Sequence, residues 1–119
     1  MVGPSEAHTL RRFRKTGTAA QLPRFEAEID GLTALRAIRG VRLPAVFGAG
    51  ASGKQAWLEL EYLDLHGLDR TGGAALGTAL AEFHRETGGA TDATYGWPRD
   101  NFIGATPQSN QSHRTWAGL

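Results

Sequence analysis

A lysine and a glutamate carry the first chemical suggestion in this sequence. Lys15 follows Phe13 in a stretch that suits an extended strand, where residues two apart share a face. Glu28 stands three residues after Phe25 and four before Leu32, so on a helix it points with them. A carboxylate on an apolar face is costly unless a cation or hydrogen-bond donors meet it. Lys15 is the upstream cation for that role. Arg14 and Arg24 are alternative partners for Glu28, and Glu26 is an alternative carboxylate. A lysine at the end of a strand is ordinarily a solvated side chain, so its interest comes from the glutamate.

A second constellation is GAGASGKQ, Gly48 to Gln55. Gly48, Gly50 and Gly53 fit G-x-G-x-x-G. Gly48, Gly53 and Lys54 fit a phosphate-binding P-loop, except that Gln55 stands where a magnesium-binding Ser or Thr belongs. Both motifs need a helix directly after the glycines, so that backbone N–H groups face the phosphates. The residues that follow alternate like a strand, so the favoured reading is a Gly-rich hairpin turn. A P-loop-type phosphate binder at Gly48–Lys54 is the alternative. Strand or helix over Lys54–Tyr62 discriminates between them.

The third is the stretch YGWPRDNFIGATPQSN, Tyr95 to Asn110. It has too few apolar residues in register for a helix or a strand and reads as one long loop. Pro fixes φ, Gly allows φ > 0, and Asn and Gln can hold backbone groups, so such a loop can be rigid. Long ordered loops in compact domains are often functional, the bland reading being a surface connector. His84 lies on the apolar face of a helix without a partner at metal-ligand spacing, so it reads as a packed or helix-end histidine. Asp92 and Asp100 are loop aspartates with no catalytic partner in view.

The elements that must position these residues follow from periodicity. Ala7–Lys15 reads as a strand. Leu22–Arg39 reads as a helix, with Pro23 in its first turn, Gly40 just past its end, and a stripe of Phe25, Ile29, Leu32, Leu35 and Ile38. Val41–Gly50 is an extended entry and short strand, with Pro44 barring a helix. Ala56–Tyr62 alternates, with Leu58, Leu60 and Tyr62 on one side and Trp57, Glu59 and Glu61 on the other. Leu63–Asp69 is a connector. Ala74–Glu86 is a second helix with Leu76, Leu80, Phe83 and His84 on one face, and His113–Leu119 could begin another. The implied class is α+β with an antiparallel sheet.

Bulk properties narrow the function classes. The chain has 119 residues, one domain or part of one, and a net charge of +1, so no strong field points to nucleic acid or membrane. It lacks cysteine, which excludes disulfides and thiolate metal sites and fits a reducing cytoplasm. No apolar run approaches the ~20 residues of a membrane span, and MVGPSEAHTLRRFRK has no signal-peptide core.

GWPRDNFIGATPQ resembles the signature loop of bacterial fructosamine kinases (ketosamine-3-kinases), which have a protein-kinase-like fold. RFRKTG resembles that family's strand ending in Phe-Val-Lys-Thr-Gly. FEAEIDGLTAL resembles its small-lobe helix, VRLPAVFGAG its linker and fourth strand, WLELEYLDL its fifth strand and hinge, and LGTALAEFHRET the helix opening its large lobe. The resemblance runs from about Ser5 to Trp116. It implies a small lobe over residues 1–62, a hinge over 63–69, and the start of a large lobe over 70–119. It implies that Lys15 holds the α- and β-phosphates of ATP and that Glu28 positions it. In the same frame Leu60 is the gatekeeper, the Glu61 carbonyl and Leu63 amide meet the adenine edge, and Trp97, Asn101, Phe102 and Gln108 belong to the signature, substrate-side loop.

The implied reaction is ATP- and magnesium-dependent phosphorylation of small-molecule or protein-bound ketosamines, which labilises them and so repairs glycated amines. Departures from the family pattern accompany this. The first strand and most of the nucleotide-covering loop are missing, with Ser5–Thr9 a remnant, and the turn between the second and third strands is trimmed. Arg14 replaces an apolar residue, and Ser112 falls where the family has tryptophan. The catalytic His-Gly-Asp motif and the metal ligands would lie beyond Leu119. The expectation is therefore a kinase part that is inactive alone, or a non-catalytic nucleotide-binding or interaction fragment. An exposed cleft face, with Leu60 and Leu76–Phe83, is expected to favour self-association.

Overall fold

The computed structural model describes residues 10–37, 39–88 and 94–118. The expected strand start at Ala7, the Ser5–Thr9 remnant, the stripe residue Ile38 and Asp92 lie outside those residues. Strands β1 (Arg12–Thr18), β2 (Val46–Ser52) and β3 (Gln55–Glu61) form an antiparallel sheet in the order β1-β3-β2. Helix α1 (Leu22–Leu35) crosses from β1 toward β2, and α2 (Arg70–Thr87) follows an extended connector. A second, two-stranded sheet pairs β4 (Asn101–Ile103) with β5 (Thr106–Gln108). The α+β class with an antiparallel sheet is what the periodicity implies.

Register sets the faces of the sheet. Phe13 sits opposite Leu60, Lys15 opposite Leu58 and Gly17 opposite Ala56, so all six share the face that meets α1. Ala56, Leu58 and Leu60 are buried there with Phe25, and Leu22, Ile29, Leu32, Val46 and Ala49 pack around them. Leu60, expected on an exposed cleft face, is instead only 6% exposed, because it belongs to the core that Phe25, Ile29 and Leu32 of α1 help to close. On the opposite face Arg12 and Arg14 bind Glu59 at 2.8 and 3.0 Å and stack over Phe47 and Trp57. Glu61 breaks the expected outward alternation: its carboxylate is buried, bound by Arg42 and by the Ala45 amide. The lead-in to β2 folds over the end of β3 and supplies both donors.

The glycine motif resolves as a hairpin. Only Gly53 and Lys54 form the turn, with Gly53 at φ +59, and β3 begins at Gln55. No helix starts after the glycines, so the P-loop alternative is overturned. The turn is also tighter than Gly48–Gly53. Gly48 lies within β2 at a bulge, and Gly50 lies beneath the Trp57 ring, where a Cβ would come to 2.7 Å of ring carbon.

Other boundaries shift for local reasons. Among the described residues Leu10 and Arg11 precede β1 outside the strand, and β1 runs on past Lys15 to Thr18, whose amide is held by the Gln21 side chain at 2.8 Å. α1 ends at Leu35, not Arg39. Arg36 caps it and donates to the Pro44 carbonyl at 3.0 Å, which turns the chain, while Gly40 takes its positive φ later in that turn. α2 begins a turn before Ala74, because Asp69 caps it by accepting from Gly72 at 2.6 Å; the Gly72–Gly73 pair had the look of a loop. His84 is exposed in its last turn, beside Phe83. Leu76 and Leu80 stay 36% and 43% exposed, and Phe83 with Leu80 faces Leu35, Val41 and Leu43.

Tyr95–Asn110 contains two short strands, contrary to the strand-free loop expected from its few apolar residues. It folds back at Gly104 (φ +59) into the β4–β5 hairpin, whose three-residue strands need little apolar support. The final segment forms a 3₁₀ turn at Trp116–Gly118, and a bridge joins Tyr95 to His113. Among the described residues no helix is long and apolar enough to cross a membrane.

Leu58 is the largest fully buried side chain among the described residues. Leu58→Ala is expected to cost about 2–5 kcal/mol, read as a lower urea midpoint. A cost under about 1 kcal/mol would show that α1 does not close over the sheet as described.

Candidate functional site

The lysine and glutamate meet. Lys15 Nζ donates to Glu28 Oε1 at 2.7 Å and to Oε2 at 2.9 Å, across the contact between β1 and α1. The alternatives do not form: Arg14 is taken by Glu59 on the other face, and no ion pair joins Arg24 to Glu28. The pair is not buried as the stripe implied. Lys15 and Glu28 keep 40% and 35% of their side-chain exposure, because Glu28 lies at the margin of the apolar stripe and not inside it. Their attraction is therefore screened and worth little to stability. What it fixes is the position of an ammonium at the wall of an open cleft of about 370 Å³, shared with Arg24, Phe25, Asn101, Phe102 and Gly104.

A second groove of about 240 Å³ opens where β3 leaves the sheet, lined by Phe13, Pro44, Leu60, Glu61, Tyr62, Leu63 and Leu65. Glu61 donates its amide to the Ala45 carbonyl and Tyr62 donates to Arg11, each at 2.7 Å. From Tyr62 to Asp69 the chain is in neither helix nor strand. Leu63, expected to offer its backbone amide, thus lies on the extended segment just outside the sheet. Phe13 links groove and cleft: it is two residues from Lys15 on the same face, ~7 Å along the strand.

The signature stretch approaches α1 from the side away from the sheet. Asn101 and Phe102 line the cleft beside Lys15 and Glu28. Gln108 does not reach it. It pairs with Asn101 in the hairpin and lines a neighbouring groove with Glu26, Asp30 and Asp100. Trp97 is likewise held away from the ion pair, donating Nε1 to Asp30 Oδ2 at 2.9 Å, while Arg99 binds Asp30 Oδ1 at 3.1 Å. Asn110 closes the loop. Its amide donates to Asp100 Oδ1, and its side chain donates to the Arg99 carbonyl and to Asn101 Oδ1, each at 2.8 Å.

Asp30 and Arg99 were not legible as site residues. Their only sequence signal was Asp30's place on the small-residue side of α1, among Ala27, Gly31 and Ala34, away from the apolar stripe. Among the described residues no three His, Cys, Asp or Glu side chains gather as a metal site.

An antiparallel sheet with one helix packed on it, a strand lysine bound by a helix glutamate, and an extended segment leading to a second helix together define the small lobe of a protein-kinase-like fold. The chain belongs to the fructosamine kinase family, whose model matches residues 5–119. It is 36% identical over 105 residues to a protein named as a probable ketoamine kinase from Synechocystis, covering 88% of this chain and 35% of that protein. It is 35% identical over 105 residues to a chloroplastic protein-ribulosamine 3-kinase of Arabidopsis thaliana, covering 87% and 31% of the two chains. A crystal structure assigned as a fructosamine-3-kinase, from Haemophilus somnus, superposes with a TM-score of 0.78 at 26% identity, covering 92% of this chain and 36% of that one. The chain thus spans about a third of the length of the curated relatives it matches.

Asn110→Ala removes two side-chain hydrogen bonds from the loop. Cleavage by trypsin after Arg99 is expected to quicken several-fold while the sheet's thermal midpoint moves little, since each such bond contributes about 1 kcal/mol. An unchanged cleavage rate would show that Asn110 does not order the loop.

Proposed function

We propose that this chain forms the nucleotide-holding part of an ATP-dependent ketosamine kinase. The observation that carries the reading is the two-oxygen grip of Glu28 on Lys15 at the rim of a cleft. An ammonium held in this way offers a fixed positive charge to the α- and β-phosphates of ATP. The groove beside Leu63 fits the other end of the nucleotide: Phe13 and Leu63 supply apolar surface to a flat ring above the largely buried Leu60, and the Glu61 carbonyl and Leu63 amide would read its edge. The domain reading follows, with residues 1–62 as small lobe, 63–69 as hinge and 70–119 as the start of the large lobe.

No group of three or more His, Cys, Asp or Glu side chains stands together among the described residues, and no step is assigned to magnesium. Asn101 and Phe102 face the phosphate side of the cleft, which suits a loop that contacts the acceptor or the transferred group. Trp97 and Gln108 serve that loop as supports. Relatives named for ketoamine, protein-ribulosamine and fructosamine phosphorylation support ketosamines as the substrate class. The cysteine-free sequence is compatible with the cytoplasm. Exposed Leu65, Leu68 and Trp116 support a tendency to self-associate.

Phosphoryl transfer needs an acceptor-positioning carboxylate and metal ions besides a phosphate-holding lysine. The 119 residues by themselves should therefore bind ATP without transferring it. Calorimetric titration is expected to give a dissociation constant on the order of 1 mM, or about −4 kcal/mol, at low salt. Lys15→Ala should abolish that binding, and Lys54→Ala, in the hairpin turn, should leave it unchanged. Incubation with ATP, magnesium and fructoselysine should yield no 3-phosphate. Binding lost with Lys54 and kept without Lys15 would overturn the reading.

A further inference from the structure

The sheet-facing contacts of α1 are apolar: Phe25, Ile29 and Leu32 meet β2 and β3. Such contacts hold a helix down without strongly fixing its rotation, because they are non-directional. The Lys15–Glu28 pair is directional but half-exposed, so it is too weak to hold the helix in register by itself. One other group on α1 is gripped from outside the helix by directional bonds at both oxygens. Asp30 lies two positions after Glu28, roughly 200° around the helix, and faces the signature loop. Its Oδ2 accepts from the Trp97 indole at 2.9 Å, with the Asp30 side chain only 22% exposed, and its Oδ1 pairs with Arg99 at 3.1 Å; Arg99 is itself 72% exposed, so the Trp97 bond is the firmer half of the grip. Elsewhere on this side α1 offers Ala27, Gly31 and Ala34, which line an apolar cleft with Trp97 and can make no bond of this kind with side-chain atoms.

We propose that Asp30 is a positioning residue: clamped by Trp97 and Arg99, it sets the rotation of α1 and so keeps Glu28 within reach of Lys15. This rests on the nucleotide reading only for its functional consequence. The geometric consequence is independent of it. A rotation or slide of 1–2 Å, the usual scale of helix shifts, carries the 2.7 and 2.9 Å contacts toward or past the ~4 Å limit of an ion pair. Trp97 and Arg99 thereby couple to the ion pair through the helix, in addition to the cleft that Asn101 and Phe102 share with Lys15.

The sequence permits a direct readout, since Lys15 and Lys54 are its only lysines. In the chain labelled with ¹³C,¹⁵N-lysine, Glu28→Gln should move the Lys15 ε-methylene signal toward its unpaired position and leave that of Lys54 still. Asp30→Ala should move the Lys15 signal the same way, also without moving Lys54. Asp30→Asn, which keeps an acceptor for Trp97 but loses the charge facing Arg99, should fall between. By calorimetry Asp30→Ala should weaken ATP binding about three- to tenfold, and should add nothing in the Glu28→Gln background, as expected of residues that act through one another. A Lys15 signal unmoved by Asp30→Ala, with Glu28→Gln moving it, would overturn the proposal, as would effects on affinity that simply multiply. If Glu28→Gln moves the signal but leaves ATP affinity unchanged, the nucleotide reading fails, and the Lys15 signal of Asp30→Ala alone decides whether the clamp exists.

Discussion

One ammonium held by both oxygens of one carboxylate ties the sheet to its helix, and the rest of the structure can be understood as what keeps the two in reach. Lys15 stands at the middle of β1, opposite Leu58, so its position is set by a ladder that cannot slip without moving the core. Glu28 stands on a helix whose placement depends on packing. The pair is too exposed to be an important source of stability, and its significance is positional. A half-exposed ion pair keeps its lysine available to an anion in the cleft, which a buried one would not.

Helix α1 is consequently a two-sided element. Toward the sheet it presents large apolar residues that close the core. Away from it, Ala27, Gly31 and Ala34 let the signature loop come close, and Asp30 receives two of that loop's donors. The loop itself is stiffened from within by the β4–β5 hairpin and by Asn110. The Tyr95–Asn110 stretch thus bears on α1 as well as on the cleft, through the carboxylate of Asp30.

Legibility in the sequence followed the strength of periodic signals. The alternation in β3 and the stripe on α1 are large-residue patterns, and they placed the sheet, the helix and the facing of Lys15 and Glu28. Boundaries set by single polar contacts were not visible. The Asp69 cap lengthened α2, the Arg36 bond to Pro44 shortened α1, and Arg42 with the Ala45 amide buried Glu61. Each depends on a partner that is distant in sequence or hidden behind glycines. The hairpin in the signature loop was missed because three-residue strands carry no measurable period. Asp30 was missed because its partners lie far along the chain, and a helical aspartate on a small-residue face resembles ordinary solvated surface.

Entry of nucleotide between the Lys15–Glu28 cleft and the groove at Leu63 can be mapped by amide chemical shifts in the ¹⁵N-labelled chain during titration with a non-hydrolysable ATP analogue. The largest changes are expected at Phe13–Thr16 and at Glu61–Leu63, with the Gly53–Lys54 turn unaffected. Changes centred on Gly48–Lys54, or none at Glu61–Leu63 with the analogue at saturating concentration, would contradict it.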